Sequence, residues 1–210
     1  MMFIAFERLI RINRNRMAGG MGTAISWACL ALLFAAAILP ASEAKGNSDP
    51  SHVHVLPPTW NAGDSHPYPQ GDVVLTVNGA ENGPSGAPLR FDIVGLESLG
   101  TVRYTSKNKW NSKPISYEGV LGSVFLAAVG LPQGATRLKL RALNDYVAYV
   151  PIEDFFRWPV MLALKLDGAY MSVRDKGPIW VVYPNHIDPE LGSAAFQGKW
   201  IWQLAEITIE

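Results

Sequence analysis

The stretch SVRDKGPIWVVYP, which runs from Ser172 to Pro184, contains the clearest fold signal in the sequence. Ile179 to Tyr183 is a run of β-branched and aromatic residues between two prolines, a pattern that predicts a buried strand. Directly before it, Arg174, Asp175 and Lys176 stand side by side. This triplet is either a solvated turn or the rim of a site for an anionic ligand, and the stretch by itself leaves both interpretations open.

On both sides of this stretch, short strand patterns alternate with turns rich in Gly, Pro and Asn. ATRLKLRAL (135–143) alternates basic and apolar residues, the period of two that is typical of a half-buried strand. Short helices are predicted before Gly100, at 121–129 and at 152–159. Strands are predicted at 72–80, 101–107, 115–120, 135–143, 144–151, 160–168, 178–184 and 200–210. The sequence therefore predicts a single mixed α+β domain, mainly β, over residues 72–210.

The first 44 residues are typical of a secretory signal peptide. Four arginines precede an apolar run from Ala24 to Leu39, and the small-residue stretch ASEA predicts cleavage after Ala44. The run is short for a bilayer span of about 20 residues, so an uncleaved N-terminal anchor is the alternative. We expect a periplasmic or secreted protein, at the membrane only if the leader is uncleaved. Residues 45–71, rich in Pro, Gly, Ser, Asn and His, are predicted to be a flexible linker.

Charge and cysteine content exclude several functions. Residues 45–210 retain 14 Lys and Arg against 16 Asp and Glu, so no basic field favours nucleic acid. Cys29 lies inside the leader, so the mature chain has no thiol for a disulfide, a metal or a nucleophile. Hydrolase, phosphate-loop and zinc-protease motifs do not occur. His52 and His54 form a His-x-His pair, either part of a polar linker or a chelating pair for Zn²⁺ or Cu²⁺.

Three segments together resemble the oxidoreductase molybdopterin-binding domain, the sulfite-oxidase fold, as found in small secreted bacterial proteins. They are LNDYVAYVP (143–151), VRDKGPIWVVYP (173–184) and the final KWIWQL (199–204). The resemblance covers roughly residues 72–210 and implies a sulfite-oxidase-like domain. It also implies that these segments border a pterin and phosphate pocket, with matching residues Asp145, Tyr146, Pro151, Gly177, Pro178, Pro184, Lys199 and Trp200.

The chain departs from this family at the metal ligand. Catalytic members bind molybdenum through a cysteine, whereas the corresponding stretch here is VRYTSKNKW, with Thr105 or Ser106 near that place. A hydroxyl has too high a pKa to replace a soft thiolate readily. The leader also lacks the adjacent arginines of the export route for folded, cofactor-loaded proteins. We therefore predict no catalytic residue, no metal ligand and no cofactor, with molybdopterin as the alternative cofactor.

The resulting hypothesis is a domain that binds an anionic small molecule or a periplasmic protein partner, as in a sensor component. Arg174 and Lys176 would be charge-assisted donors, and Trp110 or Trp180 a stacking face. The predicted cleft residues are Arg103, Thr105, Asn144, Asp145, Tyr146, Arg174, Lys176, Lys199 and Trp200. The alternatives are a molybdopterin-dependent oxidoreductase with a non-cysteine metal site, and a purely structural or assembly role.

Overall fold

The structure is a computed structural model that describes residues 51–83, 87–108 and 111–210. Most of the regular structure is strand, in elements of two to eleven residues. The strands are β1 (Val53–Leu56), β2 (Leu75–Asn78), β3 (Leu89–Phe91), β4 (Thr101–Asn108), β5 (Asn111–Leu121), β6 (Arg137–Ala142), β7 (Val147–Pro151), β8 (Met161–Leu166), β9 (Ala169–Tyr170), β10 (Trp180–Val182) and β11 (Leu204–Ile209).

These strands form two sheets. The first has the order β1-β4-β5-β8-β10, with β9 paired to β8, and all of its pairs are antiparallel. The second has the order β3-β2-β11-β6-β7 and contains one parallel pair, β2 with β11. The C-terminal strand therefore lies at the centre of the second sheet, between β2 and β6.

In the part of the chain that the structure describes, four short helices connect the strands: α1 (Ile93–Glu97), α2 (Gly122–Val129), α3 (Ile152–Arg157) and α4 (Ala194–Gln197). The Asp92 side chain caps α1 by accepting a hydrogen bond from the Gly95 amide. Gly130 ends α2 with φ of 76°, a conformation that glycine adopts without a steric penalty. The mixed α+β class, dominated by sheet, is thus confirmed.

The apolar run of the opening stretch is buried as predicted. Trp180, Val181 and Val182 form β10, an edge strand of the first sheet that pairs with β8, and none of them is exposed. The core also takes in one face of β6, whose residues alternate between exposed or half-buried and buried positions. The alternating pattern of 135–143 therefore corresponds to a strand with one buried face.

The structure differs from the sequence-based expectation in the stretch predicted as a linker. Val53–Leu56 forms β1, which pairs with the edge of β4, and Trp60 is 6% exposed in the core. The carboxylate of Asp92 accepts hydrogen bonds from the Gln70 and Gly71 amides, at 2.8 Å each. Long-range partners hold this Pro- and Gly-rich segment in place, and local composition does not report such partners.

A second difference lies between β10 and β11. The predicted last strand at 200–210 begins only at Leu204, and the preceding polar stretch contains a 3₁₀ turn (Pro189–Gly192) followed by α4. We call residues 185–200 the connecting loop. Trp200 is fixed in this loop by its indole, whose Nε1 donates to the Leu191 carbonyl at 3.1 Å. Throughout the described residues, no helix is long and apolar enough to cross a membrane.

Candidate functional site

Arg174 and Asp175 of the charged triplet lie in a 3₁₀ turn (Val173–Asp175), and Lys176 directly follows this turn. The Asp175 carboxylate accepts a hydrogen bond from the Ser172 hydroxyl at 2.7 Å, and the Arg174 side chain is exposed. Lys176 has φ of 75°, and its ammonium lies 4.4 Å from the Trp180 ring centroid. Burial lowers the pKa of Lys176. Arg174 therefore faces solvent, whereas Lys176 contacts the indole of Trp180.

Gln203 holds this turn against the start of the last strand. Its backbone amide donates to the Lys176 carbonyl at 2.9 Å, and its side-chain amide donates to the Val173 carbonyl at 2.7 Å. The Gln203 carbonyl in turn accepts a hydrogen bond from the Leu143 amide. The opening stretch is thus tied to the turn that joins β6 to β7.

Three of the predicted site residues, Asn144, Tyr146 and Trp200, line one cleft of about 360 Å³, which we call the aromatic cleft. Tyr146 spans one side of it, since its hydroxyl donates to the Gly198 carbonyl at 3.1 Å. The Asn144 side-chain oxygen accepts a hydrogen bond from the Tyr146 amide at 3.2 Å. The remaining lining residues are Ala142, Gln197, Gly198, Ile201 and Trp202.

Thr105 lies elsewhere, in a second cleft of about 620 Å³ at the end of β4, which we call the polar cleft. Its lining combines the end of β4 with Pro114 of β5 and part of the connecting loop. The polar lining residues are Thr105, Ser106, Lys107, Asn185, His186 and Ser193, with Pro189 and Gly192 beside them. The structure therefore separates residues that the resemblance implies for a single pocket.

Contacts with neighbouring residues fix two side chains of the polar cleft, Ser106 and His186. Ser106 is 2% exposed, and its hydroxyl donates to the side-chain oxygen of Asn185. The Nε2 of His186 donates to the Ser51 carbonyl at 2.9 Å, and its ring lies 4.8 Å from that of Tyr104. The Tyr104 hydroxyl donates to the Val182 carbonyl, and burial raises its pKa well above the ordinary range. The floor of the cleft is thus held in one arrangement.

Ion pairs hold the other predicted basic residues, and Asp145 faces solvent. Arg103 donates to the Glu118 carboxylate at 2.7 Å, and Lys199 to Asp154 at 2.8 Å. The Tyr183 hydroxyl donates to the same Asp154 oxygen at 2.8 Å. Asp145 is 84% exposed at its side chain and pairs with Arg141 across the turn. None of these three predicted residues lines either cleft.

Sequence reasoning did not single out Asn185, His186 or Ser193 as site residues. They belong to a stretch that reads as an ordinary polar loop, and a lone histidine in such a loop is a weak signal. The resemblance implies contacts from the loop that follows the GPIWVVYP strand, but it does not identify which side chains make them. Trp110, a predicted stacking residue, lies outside the described residues.

The donor set of the polar cleft does not fit molybdenum held by a thiolate. At the end of β4 stands the Ser106 hydroxyl, and its neighbours are an amide, an imidazole and an ammonium group. The hydroxyl and amide oxygens are hard ligands, the imidazole is borderline and the ammonium has no lone pair for a metal, whereas the family's metal ligand is a soft sulfur. Within residues 51–83, 87–108 and 111–210, no group of three or more metal-ligating side chains occurs, and the rings of His52 and His54 lie 5.5 Å apart.

Comparisons with known proteins do not show a family for this chain. No protein-family model matches the chain, and no curated protein matches it. Among solved structures, it is similar to the sulfane dehydrogenase SoxCD from Paracoccus pantotrophus, at 20% sequence identity and a TM-score of 0.48. The match covers 64% of this chain and 37% of that chain. This likeness does not establish a family, and membership of the molybdopterin-binding family stays a prediction.

Proposed function

We propose that this protein is an exported binding protein that takes a small oxyanion or phosphate-bearing molecule in the polar cleft, without molybdenum catalysis. The observation that supports the proposal is the chemistry of the lining. One ammonium group, three hydroxyls, an amide and an imidazole face a volume of about 620 Å³, and no carboxylate is among the described lining residues. Pockets of this size are typical of small-molecule sites.

Lys107 is the centre of the proposed site because no carboxylate of the described residues compensates its charge. Arg103 and Lys199 each have a carboxylate at 2.7–2.8 Å, whereas Lys107 has no such partner among the described residues. Lys113, next to the lining residue Pro114 in sequence, is also exposed but does not line the cleft. An anion entering the cleft would therefore meet a cation that is free to pair with it.

The neutral donors of the cleft complete the arrangement. Since the Ser106 hydroxyl already donates to the Asn185 side-chain oxygen, the Asn185 side-chain nitrogen is left to donate to a ligand. Thr105 and Ser193 add hydroxyl donors on either side. Oxyanions accept several such hydrogen bonds at once, and those shared with an ammonium group are the strongest.

Thermal unfolding with inorganic phosphate and with sulfate, each against sodium chloride of equal ionic strength, tests this function. We expect either anion to raise the free energy of unfolding, by about 1.4 kcal/mol at ten times its Kd. Lys107→Ala should abolish the gain and Ser193→Ala should reduce it. Arg174→Ala is the matched control, because Arg174 is exposed, has no ion pair among the described residues and lies outside the cleft.

Each outcome of this experiment decides the site. If Arg174→Ala abolishes the gain and Lys107→Ala does not, the anion binds at the Val173–Asp175 turn, and the assignment to the polar cleft is wrong. If neither phosphate nor sulfate stabilises the unaltered chain beyond chloride, the anion-binding function itself is overturned.

A molybdopterin-dependent oxidoreductase with a non-cysteine ligand is the competing function. Protein purified from its native host would then carry stoichiometric molybdenum and release a fluorescent pterin on acid oxidation. We expect neither signal, because the position near the expected metal holds Ser106, whose hydroxyl is committed to Asn185. Stoichiometric metal with pterin would replace the binding function by an enzymatic one.

A further inference from the structure

The aromatic cleft has a chemistry unlike that of the polar cleft, and the two share no lining residue. The geometry points to a second binding site, for an uncharged pyranose ring, in the aromatic cleft. The inference does not rest on the proposed anion-binding function, since it concerns other residues and another class of ligand.

The first argument for an uncharged ligand is the absence of charged side chains from the described lining. Tyr146 and Trp202 supply most of the accessible apolar surface, since Trp200 and Ile201 are 4% and 2% exposed, and Asn144 and Gln197 supply side-chain amides. No Asp, Glu, Lys, Arg or His is among the described lining residues. The nearest acid in sequence, Asp145, is 84% exposed and pairs with Arg141. The nearby Lys176 ammonium is not in the lining and lies over the Trp180 and Trp202 rings, at 4.4 Å and 5.8 Å from their centroids. The lining itself therefore favours a neutral ligand.

The second argument, which favours a pyranose over other neutral ligands, is that the lining combines aromatic rings with side-chain amides. A pyranose presents an apolar C–H face that packs on an aromatic ring, and a rim of hydroxyls that both donate and accept hydrogen bonds. The Asn144 oxygen is used by the Tyr146 amide, and its side-chain nitrogen has no partner among the described residues. The Tyr146 oxygen donates to Gly198 and keeps lone pairs that can accept. A purely aromatic ligand would leave these polar groups unpaired at a cost.

The frame of the aromatic cleft is held in place before any ligand enters. Gln203 fastens the segment after Trp202 to the Val173–Asp175 turn and to Leu143 by three hydrogen bonds of 2.7–2.9 Å. The Trp200 indole donates to the Leu191 carbonyl, and its ring is 4% exposed. Because this cleft of about 360 Å³ is preformed, ordering its side chains costs little free energy when a ligand binds.

Tryptophan emission of the full chain, measured during titration with glucose, N-acetylglucosamine and their linear trimers, tests the inference. We expect saturable binding of at least one of these sugars. Tyr146→Ala should weaken that binding by about tenfold or more, since a stacking ring and a hydrogen-bonding group are lost together. Asn144→Ala should weaken it less, and tighter binding of a trimer than of its monomer would assign the site to a glycan chain.

Tyr149→Ala is the matched control. Tyr149 is 52% exposed on β7 and lies outside the cleft, so its removal should leave the affinity unchanged. Lys107→Ala should also leave sugar binding unchanged, which separates this site from the anion site. Failure of all four sugars to bind, saturable binding of indole in their place, or equal loss with Tyr149→Ala would overturn the inference.

Discussion

At the scale of single residues, the main outcome is that ion pairs compensate several basic side chains of the two sheets, Arg103, Arg137 and Arg141 among them. Arg137 and Arg141 stand on the same face of β6, and the neighbouring C-terminal strand supplies Glu210 and Glu206 to them. The same holds for Arg103 with Glu118. A basic strand face in the sequence is therefore an anion site only where no acidic neighbour pairs with it.

The most buried of these pairs gives a pH-dependent prediction. Glu118 is 4% exposed and accepts hydrogen bonds from Lys165 at 2.9 Å and Arg103 at 2.7 Å. Burial raises the pKa of Glu118, but the two cationic donors lower it by more, so the net shift is downward. A carboxylate whose pKa is lower in the folded state stabilises the fold at neutral pH, and this contribution is lost as the pH falls below about 4.3.

Glu118→Gln should therefore lower the free energy of unfolding at neutral pH by about 1–3 kcal/mol, because hydrogen bonds to charged groups are lost. The difference from the unaltered chain should shrink steadily below about pH 4.3. Urea unfolding at a series of pH values measures both effects, with Glu153→Gln, at an exposed position on α3, as the control. Parallel curves for Glu118→Gln and the unaltered chain at acid pH would contradict this account of the ion pair.

At the scale of elements, the close approach of β5 and β8 is the feature that most restricts the sequence. The two strands pair antiparallel with a register shift between Glu118 and Gly119. A Cβ placed on Gly119 would lie 2.1 Å from the Leu162 carbonyl oxygen and 2.7 Å from the Ala163 Cα. Both neighbours are backbone atoms, so neither can move without disturbing the ladder.

Gly119→Ala should consequently lower the free energy of unfolding by about 3 kcal/mol or more, at the upper end of overpacking effects. The control is Gly71→Ala, where a Cβ would meet its nearest neighbour, an Asp92 oxygen, at an ordinary 3.5 Å. Thermal melts followed by circular dichroism compare the two variants, and the yield of soluble protein serves if Gly119→Ala does not fold. Equal stability of both variants would mean that β5 and β8 do not approach this closely.

At the scale of the whole molecule, the connecting loop organises both proposed sites. Asn185 and Ser193 of this loop line the polar cleft, and Gln197 and Trp200, further along it, line the aromatic cleft. The bond between Lys199 and Asp154 anchors the loop to α3. The two proposed sites therefore share one anchored segment.

Export is the prediction that concerns the whole chain. Expressed in a bacterium with a periplasm, the protein should be recovered there with Lys45 as its first residue, because a small residue at Ala44 ends the leader. Ala44→Phe should block processing, while Glu43→Gln, which keeps the small residue, should not. Mass spectrometry of the intact protein distinguishes the forms, and recovery of the unaltered chain with its first 44 residues in the membrane fraction would favour the anchor instead.

The sequence by itself determined those features whose causes are local. Alternation and breakers place β6, β10 and α2, and the absence of a thiol from residues 45–210 follows from composition alone. Only the tertiary structure decided that Asn144 and Thr105 lie in different clefts, that Glu206 neutralises Arg141, and that Val53–Leu56 is a strand. These outcomes depend on partners distant in sequence, and no local pattern states which strands will be neighbours.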